Sequence, residues 1–245
     1  IITVGENGVI WTSVDGGNNW VNKQQFIHER RTYASIDFVD DNIGYITGDE
    51  GFILKTTDGG ANWDTTTTPD LLSNKRIRFA NQQTGWVVGI IGRIFKTENG
   101  GDSWISQNTG SFYPINGLSV FNDLTAWVCG NNGTILKTAN GTTWETQVSN
   151  TTQNLQQINF FNEDLGLTVG VSGTILRTVN GGTTWSSVTS GVTTQINDIC
   201  FLSENTILVG TINGKILKSI NGGQNWTTIS LPANRVVKSI LKLTN

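Results

Sequence analysis

Six copies of one pattern run through the chain, and each closes on tryptophan: GENGVIWTSVDGGNNW, GDEGFILKTTDGGANW, GIIGRIFKTENGGDSW, GNNGTILKTANGTTW, GVSGTILRTVNGGTTW and GTINGKILKSINGGQNW. The closing residues are Trp20, Trp63, Trp104, Trp144, Trp185 and Trp226, spaced 43, 41, 40, 41 and 41 residues apart. A period in the low forties with glycine-rich turns marks a repeat whose unit is a small β-sheet. Such a unit cannot bury its apolar face alone and must stack on its neighbours.

Each full unit reads as four strands. In the second unit, residues 33–39 alternate as a half-buried strand, and a turn over Asp40 to Asn42 leads to a second strand over Gly44 to Gly48. A tight turn through Asp49 to Gly51 precedes the third strand, FILKT. The TDGG turn then leads to a fourth strand carrying Trp63. The chain starts at IITVG, which matches the second strand of later units, so the first unit lacks its innermost strand. The last unit is followed by an alternating segment, RVVKSILKLTN, with no unit of its own. The expected fold is all-β: a six-bladed β-propeller of four-stranded antiparallel blades, one domain over residues 1–245. Its ring is closed by the C-terminal strand completing the first blade, which removes open sheet edges. The alternative is a seven-bladed or incomplete ring in a longer chain.

Charged residues make up only 14% of the chain, and the formal net charge is −3. That balance argues against a nucleic-acid binder, which draws affinity from many phosphate contacts. No run approaches the roughly 18 apolar residues of a membrane-spanning helix. The chain contains no Met, so a mature form or excised fragment is expected. Cys129 and Cys200 lack metal-ligand spacing and read as separate buried thiols. His28 is the single histidine, and no Ser/His/Asp set, phosphate-binding glycine loop or metal cluster accompanies it. Neither cofactor nor metal is expected, and the chain reads as a non-enzyme.

Within the repeat, Asp15, Asp58, Asn99, Asn140, Asn180 and Asn221 stand where a side-chain oxygen can accept from the turn's own amides. The glycines that follow supply positive φ. The recurring third-strand cations Lys55, Lys96, Lys137, Arg177 and Lys218 repeat too regularly to mark one site, and read as a solvated or packing position.

The pattern S/T-x-D-x-G-x-x-W in a strand turn resembles the Asp-box, or BNR, repeat. Its longer form, G-x-x-G-x-I-x-K-T-x-D/N-G-G-x-x-W, resembles the Ycf48-like repeat family of photosystem II assembly factors. The resemblance covers nearly the whole chain. It implies a propeller that holds a protein precursor, whereas Asp-box sialidases would imply glycoside chemistry. The family's photosynthetic members use an arginine-rich face, from which this chain departs with seven arginines. An exported bacterial relative, outside the cytoplasm, is the expectation that follows.

Binding groups concentrate on loops held by a rigid scaffold. The DGG turns are expected on one face, and the interblade connectors with the second-to-third-strand turns on the other. On that second face the least regular connector, residues 23–31, carries Phe26, His28, Arg30 and Arg31. The next blade adds Lys75, Arg76 and Arg78, making a basic sector suited to an anionic ligand or an acidic patch on an envelope protein. Phe112 and Tyr113 in another connector offer a stacking surface. Asp37, Arg78, Ser119, Asn159 and Cys200 are expected to line a polar channel, with Asp37 paired to Arg78, and Trp11 is expected to pack at the closure. The leading reading is a protein-binding or assembly-factor propeller. A carbohydrate-binding or glycosidase-like propeller, with Asp49, Glu50 and Glu29 as its acidic cluster, is one alternative. An architectural domain of a larger secreted protein is the other.

Overall fold

The computed structural model describes residues 1–23, 31–231 and 235–242, organised as two compact units, Ile1–Gly110 and Ser111–Asn245. The fold is all-β, a six-bladed β-propeller of antiparallel sheets. In the first unit, blade 1 comprises β1 (Ile2–Val4), β2 (Ile10–Thr12) and β3 (Val21–Asn22). Blade 2 comprises β4 (Tyr33–Phe38), β5 (Gly44–Gly48), β6 (Phe52–Thr56) and β7 (Asp64–Thr67). Blade 3 comprises β8 (Asn74–Phe79), β9 (Gly85–Gly89), β10 (Ile94–Thr97) and β11 (Ile105–Gln107).

The second unit repeats the scheme. Blade 4 holds β12 (Ile115–Val120), β13 (Ala126–Gly130), β14 (Ile135–Thr138) and β15 (Glu145–Thr146). Blade 5 holds β16 (Leu155–Phe160), β17 (Leu165–Gly170), β18 (Ile175–Val179) and β19 (Ser186–Ser187). Blade 6 holds β20 (Ile196–Phe201), β21 (Ile207–Thr211), β22 (Lys215–Ser219) and β23 (Thr227–Ser230). Each sheet pairs its strands in chain order.

The second strands are buried on both faces, as GYITG, GWVVG and AWVCG show. One core cluster joins Tyr45 and Ile53 of blade 2 to Ile77, Val87, Phe95 and Trp104 of blade 3. Another joins Trp127, Cys129 and Ile135 of blade 4 to Leu155, Ile158, Phe160, Leu176 and Trp185 of blade 5. The inner-strand phenylalanine is the hinge of this packing. Phe160 stacks on Trp127 at 3.7 Å and meets Trp185 edge-on at 5.9 Å; Phe79 does the same with Tyr45 and Trp104. The edge-on contacts are the geometry that aromatic quadrupoles favour.

The repeat tryptophan departs from expectation by one residue. Trp63 stands ahead of β7 rather than within it, as do Trp104 ahead of β11 and Trp185 ahead of β19. The indole is turned under the DGG turn into the core, and the chain enters the edge strand only after it.

The described part of the C-terminal tail, Arg235 to Lys242, takes no strand assignment but follows blade 6 closely. The Val237 amide donates to the Thr211 carbonyl, and the Asn197 amide side chain donates to the Val237 carbonyl. Forty residues separate that second pair, close to the 39 between Asn116 and Leu155, whose side chain and carbonyl make the same bond between blades 4 and 5. The tail thus occupies the inner-strand station that follows blade 6. Among the described residues the first sheet has three strands and no inner one, as its sequence predicts.

Cys129 and Cys200 are separate buried thiols. Among the described residues no helix is long and apolar enough to cross a membrane.

Candidate functional site

Every blade has two chemically distinct ends. At one end the Asp-box turn packs on the turn between the first two strands: the Gly59 amide donates to the Asn42 carbonyl, and Gly181 to Asp164. At the other end the interblade connector packs on the second-to-third-strand turn, with Asp49 donating to Thr32 and Thr68 to Gly51. The connector end is the candidate binding face.

The Asp-box end is occupied by its own hydrogen bonds. The Asp58 carboxylate accepts from the Asn62 amide, the Asn62 side chain and the Thr56 hydroxyl at 2.8 Å each. The Asn62 amide is the largest of the effects that lower its pKa to about 2, and the Asn19 amide does the same for Asp15. Asn99, Asn180 and Asn221 accept from the amides four residues on. The fourth copy is one residue shorter, so Asn140 accepts from Thr142 and Thr143 instead. The paired glycines adopt positive φ, as at Gly59 (71°) and Gly60 (88°).

Two of the third-strand cations reach the next blade, and two lie over indoles of their own blade. Lys55 lies 3.2 Å from Asp102 in the next blade's turn, and Arg177 donates to the Gly222 carbonyl at 2.6 Å. Lys96 and Lys137 sit over the indoles of Trp86 and Trp127 at 5.2 and 5.1 Å. Tyr45 and Trp127, on the second strands, reach the same turns by donating to the carbonyls of Gly100 and Gly181. Burial is the first cause raising Tyr45 to about 12. Trp11, which replaces the cation in the first copy, is 38% exposed.

The residues expected in a channel staple neighbouring inner strands. Asp37 accepts from the Phe79 amide, Ser119 from the Phe160 amide, and the Asn159 side chain donates to the Ile199 carbonyl. Burial raises the Asp37 carboxyl against the pull of Arg78, which lies 3.8 Å away. Arg78 also donates to the Ser35 hydroxyl and to the Ile36 carbonyl. Burial likewise raises the Cys200 thiol.

The expected basic sector is therefore divided. Arg78 is committed to Asp37. Arg31 pairs with Glu50 at 3.1 Å and stacks over Phe52. Arg76 is half-buried and donates to the Ala34 carbonyl, while Lys75 is exposed and, among the described residues, has no carboxylate within 4 Å. Phe26, His28 and Arg30, with Glu29, lie outside the described residues. Phe112 and Tyr113 sit on the connector end of the second unit, where Phe112 is 89% exposed and the Pro114 carbonyl accepts from Asn131.

Arg93 belongs to this end and was not singled out from sequence. It is buried, and its guanidinium reaches the Asp70 carboxylate, the Leu72 carbonyl and the Asn74 side-chain oxygen, pinning the connector between blades 2 and 3. The signal was available: Arg stands at a turn-exit position where blades 4 and 5 carry Thr134 and Thr174, which bond only their own turns.

Two aliphatic residues flank that clamp in left-handed backbone. The second-to-third-strand turn places its middle residue at φ 53–58° in five blades, as Asn7, Glu50, Ile91, Asn132 and Ser172. Ile91 is the β-branched member, and its conformation costs about 1–2 kcal/mol. Connectors after blades 3, 4 and 5 take positive φ directly after their Thr or Ser, at Gly110, Asn150 and Gly191. In the connector after blade 2 that place is Pro69, whose φ is fixed near −65°, and the left-handed residue becomes Leu71 at φ 56°.

A β-propeller built on Asp-box turns is the class these observations define. A family model described as "Photosynthesis system II assembly factor YCF48" matches residues 137–240, and one described as "Sortilin, neurotensin receptor 3" matches residues 8–172. The second match covers more than half of the chain, which belongs to that family over those residues; in its repeats and fold the chain is a Ycf48-like BNR-repeat β-propeller. The structure of YCF48 bound to D1 peptide aligns at TM-score 0.75 and 22% identity, covering 93% of this chain and 76% of that one. YCF48 from Cyanidioschyzon merolae aligns at TM-score 0.75 and 21% identity, covering 96% and 82%. The computationally designed Ika8 protein aligns at 0.76 with 14% identity, covering 100% and 75%. No curated protein gives a significant match.

Proposed function

We propose that the chain is a non-catalytic propeller that binds a protein partner, as an assembly factor does, through the connector end of its blades, and that it works outside the cytoplasm. The observation that carries this reading is a propeller of the same fold, YCF48, solved with a peptide of D1 bound. The chemistry of the connector end supports it. Glu50 is paired with Arg31, and Asp49 accepts from the Thr32 amide, so both carboxylates have structural partners at this end. Lys75 is an exposed cation there that a partner's acidic group can meet.

The test is capture of a partner from the source organism's envelope extract by the wild type and by a Lys75→Glu variant of equal thermal stability. A partner held by the wild type and depleted with the variant is the expected result. A partner held equally by both moves the binding face elsewhere. Recovery of the native protein only with cytoplasmic markers on cell fractionation overturns the assignment outside the cytoplasm.

A further inference from the structure

We propose that Leu71 and Ile91 form an apolar contact site for one aliphatic or aromatic side chain of an extended protein segment, with an acidic residue of that segment set toward Lys75. The inference rests on the protein-binding reading above and names the chemistry of the segment.

Three observations converge on it. Leu71 and Ile91 are 59% and 57% exposed, on the two loops that Arg93 ties together. Arg93 bonds Asp70 and Leu72, which flank Leu71 in sequence, and stands two residues beyond Ile91; the Ile90 amide also donates to the Ser73 carbonyl. Both aliphatic residues hold positive φ, where asparagine or glycine would sit more easily; the places equivalent to Ile91 in other blades hold the polar residues Asn7, Glu50, Asn132 and Ser172, and the left-handed residues of the connectors after blades 3, 4 and 5 are Gly110, Asn150 and Gly191. A solvent-facing, strained aliphatic pair gains nothing for the fold, and strain of this kind gathers at binding sites. Charge sets the segment's second feature. Arg93 is neutralised by Asp70, and Asn74 is bonded to Arg93, so the next residue, Lys75, exposed and with no carboxylate within 4 Å among the described residues, supplies the charge on blade 3's side of the pair.

The site predicts opposite effects on stability and binding. Ile91→Asn and Leu71→Asn relieve the backbone and raise Tm, by about 2–4 °C where roughly 1 kcal/mol is recovered, while removing the contact. A random library of twelve-residue linear peptides displayed on phage is selected on the wild type, and the recovered peptides are titrated by fluorescence anisotropy against each variant. The expected result is peptides that share an apolar residue near an acidic one, and lose tenfold or more in affinity for both asparagine variants at equal or higher Tm. Peptides that keep their affinity for both asparagine variants but lose it with Lys75→Glu overturn the apolar site and leave the protein-binding reading standing. Recovery of no peptide overturns both.

Discussion

The Ser239 hydroxyl donates to the Asp198 carboxylate at 2.8 Å across 41 residues, one blade period. The Ile240 amide donates to the same oxygen, and the Gln157 side chain to the other, so one buried carboxylate ties three successive inner-strand stations together. The tail is held by blade 6 as blade 6 is held by blade 5.

Deleting residues 235–245 is therefore expected to lower the urea midpoint and broaden the transition, since it strips partners from Asp198, Asn197 and Thr211. Asp198→Ala alone is expected to cost about 1–3 kcal/mol, the range for abandoning buried partners. Circular dichroism across a urea titration measures both, and an unchanged midpoint after truncation would sink the tail's structural role.

Asp58 gives the fold a defined sensitivity to acid. Its folded pKa, about 2, lies below the ordinary value of 3.8, so its stabilisation is fully present above pH 4 and is lost as pH falls toward 2. Asp15 titrates in the same window. Asn occupies the equivalent place in four other copies, and in three of them it makes the same turn. Asp15→Asn with Asp58→Asn is thus expected to keep Tm near wild type at pH 7 and to flatten its decline between pH 4 and 2. Thermal melts across that range check the sign.

The blade plan was legible in the sequence because Gly, Asp/Asn and Trp each meet a local demand: positive φ at Gly59 and Gly60, an acceptor at Asp58, a large apolar body at Trp63. Period and alternation then placed the strands. The connector end was less legible because its chemistry depends on partners a blade apart. Arg31, Lys75, Arg76 and Arg78 form a basic cluster by sequence, yet Glu50 and Asp37 claim two of them. The strain at Leu71 follows from Pro69, but only once the neighbouring connectors show where the left-handed residue normally falls.

Arg93 is expected to carry the connector between blades 2 and 3. Arg93→Ala leaves Asp70, the Leu72 carbonyl and Asn74 without their shared donor and should cost about 2–4 kcal/mol. Arg93→Lys is expected to recover little, because an ammonium cannot reproduce the planar fork that meets three acceptors. Chemical denaturation of the two variants separates loss of charge from loss of geometry.

Tyr45 and Trp127 test whether neighbouring blades are joined by polar contacts as well as by packing. Each stacks on the next blade's inner phenylalanine and donates a hydrogen bond to the carbonyl of a glycine in that blade's Asp-box turn. Tyr45→Phe removes the Gly100 bond and keeps the ring on Phe79, so about 0.5–1.5 kcal/mol should be lost. Tyr45→Leu also removes the stack and should cost more, with the further loss in the range of an aromatic pair, about 0.5–1.5 kcal/mol. Phenylalanine and leucine variants of equal stability would mean that the stack contributes nothing beyond apolar area. A phenylalanine variant as stable as wild type would mean that water satisfies the Gly100 carbonyl and that the blades hold by packing alone.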